Sequence, residues 1–133
     1  MSESPPGKNS GTILFVEDEP LIRTDVADFL REFGYVVHEA ASAAQAIEAL
    51  QSNAGIDLLL TDINLPQERK GLEIVDWVAR NLPSVKVILA TGVSSWELPP
   101  LPVAGLLVKP YMRSDLLERV SEALVRRRPN LSI

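Results

Sequence analysis

Short apolar runs alternate with amphipathic segments along nearly the whole chain, and this alternation restricts the fold more than any other feature of the sequence. The first run, Thr12–Val16, is bounded by Gly11 and by an acidic cluster. Such continuous runs are typical of strands that are buried on both faces of a parallel sheet. Four more runs are predicted to be strands: residues 35–38, 56–61, 85–90 and 104–108.

Helical spacing of apolar residues marks the segments between these strands. Pro20 suits the first turn of a helix, and Gly34 suits the end of the same helix. Ser42 and Gln45 have the spacing of a capping box and predict the start of a second helix. The residues of these two helices that are predicted to face the core are Ile22, Val26, Phe29, Leu30, Phe33, Ile47 and Leu50.

Two further helices are predicted near residues 71–81 and 116–124. Their apolar positions are Leu72, Val75, Val78 and Leu82 in the first, and Leu116, Leu117, Val120 and Leu124 in the second. Residues 92–102 contain Pro99, Pro100 and Pro102. Because proline lacks an amide donor and clashes inside helices, we expect at most one irregular turn there, around residues 94–98.

Five strands alternating with helices predict an α/β fold with right-handed crossovers and a parallel sheet covered on both faces. In such sheets, ligands bind outside the carboxyl ends of the strands, where the strand order reverses. The polar residues at those ends are Glu17 and Asp18 after strand one, Asp62 at strand three, Thr91 at strand four and Lys109 at strand five.

These side chains predict a site for a cation and for phosphoryl chemistry. Clustered carboxylates repel one another at neutral pH unless a cation or a raised pKa relieves them. A site with oxygen ligands only favours a hard ion, and Mg²⁺ is the first choice. With Lys109, the metal would neutralise charge on a transferring phosphoryl group. A carboxylate can serve as the covalent nucleophile, and Thr91 can donate its hydroxyl.

Four segments in this order resemble the signature blocks of response-regulator receiver domains, the chemotaxis-regulator-like modules of two-component signalling. They are residues 15–20, 58–66, 89–92 and 108–111, and the similarity runs from about Gly11 to Arg127. The resemblance implies a flavodoxin-like sheet with strand order 2-1-3-4-5. It also implies a signalling module rather than a metabolic enzyme.

The resemblance assigns roles to individual residues. It implies that Asp62 is the phosphoacceptor and that Asp18 and Asp62 ligate Mg²⁺. Glu17 would act through the metal or its waters, and Asn64 would offer its backbone carbonyl.

The same resemblance implies that Thr91 and Lys109 contact the phosphoryl group. The donor would be a sensor histidine kinase or a phosphotransfer protein, and the output an unidentified downstream protein. Residues 89–94 are also similar to the Phe-Ala-Thr-Gly-hydrophobic-Tyr motif of a stand-alone receiver subset. Partners in that subset include kinases of the HWE type.

Three features differ from the family pattern. Leu106 stands three residues before the lysine, where receivers carry a switching Tyr or Phe. Residues 91–109 form a shorter, proline-broken segment, and residues 66–71 form a longer, more charged loop. A phosphorylation-independent adaptor with a receiver fold is therefore the alternative function.

Other interpretations of the same residues remain open from the sequence. Asp18 can cap a helix, Glu17 can be a solvated flank, Asp62 can form a turn, and Lys109 can be a surface charge. A Mg²⁺-dependent phosphohydrolase is a second rival. That class needs an acid two residues after the nucleophile, and Asn64 stands there.

Composition and net charge argue against some classes of function, and the sequence also predicts the domain boundaries. The formal charge of −5 argues against nucleic-acid binding, and the absence of cysteine favours a cytoplasmic protein. No apolar run is long enough to cross a membrane. We expect a disordered tail at 1–10, one receiver domain at 11–128 with no output domain after it, and a short tail at 129–133. Arg126, Arg127 and Arg128 match a helix C-terminus, with a basic docking patch as the alternative.

Overall fold

The computed structural model of the protein describes residues 10–63, 70–92 and 101–125. Strands and helices alternate through these residues, as the sequence predicts. The elements are β1 (Thr12–Val16), α1 (Pro20–Glu32), β2 (Val36–Ala40), α2 (Ala43–Ser52), β3 (Leu58–Asp62), α3 (Lys70–Asn81), β4 (Lys86–Thr91), β5 (Gly105–Val108) and α4 (Arg113–Val125).

The five strands form one parallel sheet in the order β2-β1-β3-β4-β5. This order confirms the predicted flavodoxin-like α/β fold. Helices α1 and α4 pack on one face of the sheet, and α2 and α3 pack on the other. The strand order reverses between β1 and β3, so the carboxyl ends of these two strands border the crevice where such sheets bind ligands.

Burial follows from this layering. All five residues of β3, the central strand, are buried, because helices cover both of its faces. The predicted ends of β1 agree with the structure, whereas β2, β3, β4 and β5 are displaced by one or two residues. The ladder sets these ends: Leu58 of β3 pairs with Ile13 of β1 and Lys86 of β4, so β3 begins there.

The predicted inner faces of α1 and α2 need correction. Ile22 and Phe33 are 45% and 36% exposed, whereas Ala27 is fully buried against the sheet. In α2, Ile47 is only partly buried, and Ala46 is buried completely. Small residues thus occupy part of these inner faces beside the buried larger residues, and they let the helices approach the sheet closely.

Several sequence predictions fall on residues outside the described ranges. These are the two tails, the basic residues 126–128 and the possible turn at residues 94–98. Residues 101–104, which are described, contain no helix. Trp77 is partly buried on the face of the sheet that α2 and α3 cover. No helix in the described ranges is both long enough and apolar enough to serve as a membrane span.

Candidate functional site

Asp62 and Lys109 form an ion pair at the carboxyl edge of the sheet. Asp62 is the last residue of β3 and is only 7% exposed. Lys109 directly follows β5, and its Nζ donates a hydrogen bond to Asp62 Oδ2. The two residues are 47 positions apart in the chain. They meet because parallel strands end at the same edge of the sheet, as the sequence analysis predicted.

Glu17 is the second carboxylate beside this lysine. It is 4% exposed, and its Oε1 lies 3.8 Å from Lys109 Nζ. Its Oε2 accepts a 3.1 Å hydrogen bond from the Glu19 backbone N–H. Its own backbone N–H donates to the Ala40 carbonyl oxygen at 3.0 Å, and Arg23 Nη1 donates to the Glu17 carbonyl oxygen at 2.9 Å. Glu17 is therefore held in place by both its backbone and its side chain.

The two acids and the lysine influence one another's protonation. Burial raises the pKa of Glu17 above its ordinary value; the Glu19 N–H and the Lys109 charge oppose that rise, and Asp62 and Asp18 add to it. Burial by itself would lower the pKa of Lys109, but its hydrogen bond to Asp62 and the charges of Asp62 and Glu17 raise that pKa above its ordinary value. Lys109 therefore remains an ammonium at neutral pH.

Thr91 lies beside this ion pair at the end of β4 and is fully buried. Its carbonyl oxygen accepts a 2.7 Å hydrogen bond from the Lys109 backbone N–H, and it pairs with Val108 in the β4–β5 ladder. The peptide bond from Lys109 to Pro110 is cis. The end of β4 thus fixes the backbone from which the lysine side chain extends.

Two predicted metal ligands remain, Asp18 and Asn64, and the structure describes only the first. Asp18 is exposed, and its charge acts on the pKa of Glu17. Asn64 lies outside the described residues. Predicted Glu17, Asp62, Thr91 and Lys109 therefore come together, and Asp18 borders them from the solvent side.

The donor set fits a hard cation by charge and by atom type. Glu17, Asp18 and Asp62 carry three negative charges against the single positive charge of Lys109, and all their donor atoms are oxygen. A buried Glu19 oxygen, Oε1, also has no hydrogen-bond partner. Among the residues that the structure describes, however, no three His, Cys, Asp or Glu side chains stand in the arrangement of a metal-ligand set.

The geometry contradicts three of the alternative roles that the sequence leaves open. The N-cap of α1 is Glu19, without a side-chain capping bond, so Asp18 is not the cap. Glu17 is buried, so it is not a solvated flank. Lys109 is half-buried and bonded to Asp62, so it is not an isolated surface charge.

Sequence reasoning missed two residues that shape the site, Gly71 and Arg23. A Cβ at Gly71 would lie 2.1 Å from the Asp62 carbonyl oxygen, so only glycine lets α3 approach this closely. Arg23 binds the Glu17 carbonyl oxygen and also lies 3.4 Å from a Glu39 carboxylate oxygen. A glycine beside the first residue of a helix was the available signal for Gly71, and nothing in the local sequence marked Arg23.

Comparisons with known proteins agree with this geometry. A model of the family described as response regulator receiver domain matches residues 13–121. Sensor kinase CckA of Brucella abortus (strain 2308) is 32% identical over 120 residues, which cover 86% of this chain and 13% of that kinase. The transcriptional regulatory protein PdtaR of Mycobacterium tuberculosis (strain CDC 1551 / Oshkosh) is 34% identical over 119 residues, which cover 86% of this chain and 57% of PdtaR.

Solved structures show the same fold. The response regulator protein TrrA from Thermotoga maritima, in complex with Mg(2+)-BeF, superposes with a TM-score of 0.76 at 29% identity. The superposition covers 85% of this chain and 98% of TrrA. By contrast, the chain spans only 13% and 57% of the two curated relatives named above.

Proposed function

Because the chain belongs to the response regulator receiver domain family, we propose that Asp62 accepts a phosphoryl group in a Mg²⁺-dependent reaction. The observation that carries this proposal is the partly buried Asp62–Lys109 ion pair with Glu17 beside it. Its donor would be a phosphohistidine on a sensor histidine kinase, including kinases of the HWE type, or on a phosphotransfer protein.

The chemistry is a transfer between two covalent phosphoryl carriers. A carboxylate oxygen of Asp62 attacks phosphorus, the P–N bond of the donor breaks, and the imidazole keeps the electron pair of that bond. The product is an acyl phosphate, which later reacts with water to regenerate the carboxylate and release inorganic phosphate. The Lys109 ammonium and the Thr91 hydroxyl would stabilise the negative charge that spreads over the phosphoryl oxygens.

Mg²⁺ would be held by Asp18, Asp62 and the backbone carbonyl of Asn64, with Glu17 acting directly or through metal-bound water. When bound, the ion neutralises charge on both the carboxylates and the phosphoryl group. Glu17 and Asp62 support this assignment because two buried acids face a single ammonium, which leaves excess negative charge in the cavity.

The surface beside Lys109 supports a protein as the donor. A groove of about 570 Å³ lies between α1 and the segment after β5, and its lining includes Ile22, Val26, Pro110 and Tyr111. Leu21 and Met112, the chain neighbours of the lining residues Ile22 and Tyr111, are 79% and 69% exposed. Exposed apolar residues next to a reactive group favour contact with a partner protein. The phosphorylated domain would then signal by protein contact or by phosphorelay.

Phosphorylation is tested by incubating the protein with Mg²⁺ and acetyl phosphate and then measuring its intact mass. We expect the mass to rise by one phosphoryl group, and we expect no rise in the Asp62→Asn variant or in excess EDTA. A Glu118→Gln variant removes an exposed acid of α4 and is the matched control that should behave like the native protein. An unchanged native mass would contradict the proposal.

A phosphorylation-independent adaptor is the second candidate, and Leu106 is the observation that favours it. This residue is partly buried on the α2–α3 side of β5, and it offers neither an aromatic ring nor a hydroxyl that could swing toward Thr91. The same mass measurement separates the two candidates. An adaptor would show no mass change, or a gain that survives Asp62→Asn.

A further inference from the structure

A second polar cavity lies at the opposite end of the sheet from Asp62. Strand β4 begins at Lys86 and ends at Thr91. The cavity beside Lys86 is therefore separated from the acidic site beside Thr91 by the full length of this strand. The cavity measures about 360 Å³. Its lining residues come from the start of β4, the approach to β5 and the second half of α4: Lys86, Val103, Ala104, Arg119, Glu122 and Ala123.

Two half-buried cations face this cavity. No ion pair joins the Lys86 ammonium to a carboxylate anywhere in residues 10–63, 70–92 and 101–125. Arg119 has Glu122 as its ion-pair partner, at 4.0 Å, which is the outer limit for such a pair. The lining therefore carries a net charge of +1, from two cations and one carboxylate, in a chain whose formal charge is −5.

Backbone hydrogen bonds hold the segment that forms one wall of the cavity. The Ala104 N–H donates a 2.6 Å hydrogen bond to the Val87 carbonyl oxygen, and the Val103 N–H donates to the Leu101 carbonyl oxygen at 2.8 Å. Gly105 lies beside the Arg119 side chain, since an added Cβ would be in ordinary van der Waals contact with Arg119 Cδ at 3.6 Å. Lys86 and Arg119 thus extend from a strand and a helix that the sheet and the core hold in place.

We propose that this cavity binds a small organic anion through its carboxylate or phosphate group. Lys86 and Arg119 supply the positive charge, and Glu122 accepts a hydrogen bond from a hydroxyl on the same ligand. A volume of this size suits a small molecule rather than a single inorganic ion. Half-buried cations attract an anion more strongly than fully solvated ones, because the surrounding dielectric is lower.

The test is a titration of the full chain with sodium citrate, which carries carboxylates and a hydroxyl, followed by ¹H–¹⁵N spectra. Glycerol 3-phosphate provides the phosphate arm, and sodium chloride at equal ionic strength provides the salt control. We expect saturable shifts of the Ala104, Gly105 and Arg119 amides. The stronger of the two anions identifies the head group that the cavity prefers.

Variants connect the binding to the two cations. Lys86→Met and Arg119→Met should each weaken the affinity about tenfold, the effect of losing one hydrogen bond to a charged group. Glu122→Gln should strengthen the affinity, because it removes the one negative charge of the lining. Arg80→Met is the matched control: Arg80 is a 70% exposed arginine on α3, and its loss should leave the affinity unchanged.

Three outcomes would overturn the proposal. If the shifts grow linearly with the concentration of each anion, and sodium chloride at equal ionic strength causes the same shifts, they would show general ionic effects only. Saturable shifts confined to Thr91 and Lys109 would place the anion at the acidic site instead. Equal affinities in the native protein and in both cation variants would exclude Lys86 and Arg119 as ligands. Asp62→Asn should leave this binding intact, so the result is independent of the phosphorylation proposal.

Discussion

Glu17 is a residue at which stability and the proposed function oppose each other. The residue is 4% exposed, and its carboxylate lies near Asp62 and Asp18, so that Lys109 offsets only part of the cost of burial and repulsion. Burying a charged acid among other acids costs free energy unless a cation compensates for it. Such a cost is tolerated where the acids serve to hold a metal ion.

Replacing Glu17 with glutamine should therefore stabilise the metal-free protein. We expect Glu17→Gln to raise the Tm without Mg²⁺ by about 2–8 °C, the shift that about 1 kcal/mol produces in domains of this size. Added Mg²⁺ should stabilise the native protein more than the variant. Thermal unfolding with EDTA and with Mg²⁺ measures both effects, Glu118→Gln is the control, and a lower Tm for Glu17→Gln in EDTA would contradict this account.

Gly71 should be the least replaceable glycine near the site. An added Cβ would lie 2.1 Å from the Asp62 carbonyl oxygen and 2.7 Å from Ile63 Cα, and these backbone atoms can move only if β3 or α3 moves. We expect Gly71→Ala to lower the free energy of unfolding by about 1–3 kcal/mol. It should also slow phosphorylation by displacing Asp62.

The matched control for this prediction is Gly55→Ala, because a Cβ at Gly55 meets no atom within 4 Å. That variant should change the free energy of unfolding by less than about 0.5 kcal/mol. Denaturant unfolding measures both variants. Equal stabilities of Gly71→Ala and the native protein would show that α3 does not approach Asp62 as closely as the structure indicates.

At the scale of whole elements, the start of α2 shows how a local motif is realised in detail. Ser42 Oγ accepts a 3.2 Å hydrogen bond from the Gln45 N–H, which confirms the predicted cap. The reciprocal bond differs from the usual capping box: Gln45 Oε1 accepts from the Ala41 N–H at 2.8 Å rather than from the N–H of Ser42. The sequence predicted the pair of residues but not this shift by one residue.

The capping bond predicts a measurable effect on stability. Ser42→Ala should lower the free energy of unfolding by about 1 kcal/mol, because the Gln45 N–H loses its partner. Phosphorylation should be unaffected, since the change lies outside the acidic site. Ser52→Ala, at the other end of α2, is the matched control and should have a smaller effect, because Ser52 donates only to a carbonyl oxygen of its own helix. Equal losses in both variants would contradict the capping role.

The sequence predicted the strands more completely than it predicted the inner faces of the helices. All five strands were located from their apolar runs, because a strand covered on both faces has few polar residues. The inner face of α1 was only partly predicted, since Ala27 is fully buried and Ile22 is 45% exposed. The periodic pattern was identified from large apolar residues. Close packing of a helix on a sheet also buries small residues such as alanine, which that pattern does not reveal.

At the scale of the whole molecule, the parallel sheet determines most of the site. Glu17, Asp62, Thr91 and Lys109 were predicted to meet because each follows or ends a strand, and the structure brings these four together. The burial of Glu17 could not be predicted, since it depends on packing between segments far apart in sequence. The acidic site and the cavity at the other end of the sheet also differ in net charge. Glu17, Asp18 and Asp62 outnumber Lys109 at the first, whereas Lys86 and Arg119 outnumber Glu122 in the lining of the second.

We propose that these separate strand ends form one metal-dependent phosphoryl site. The decisive experiment is a titration of the protein with beryllofluoride, the phosphoryl mimic bound with magnesium in TrrA, while ¹H–¹⁵N spectra are recorded. We predict saturable shifts of the Asp62, Thr91 and Lys109 amides in Mg²⁺, with none in EDTA or in Asp62→Asn. Absence of shifts in Mg²⁺, or shifts that persist in Asp62→Asn, would contradict the claim.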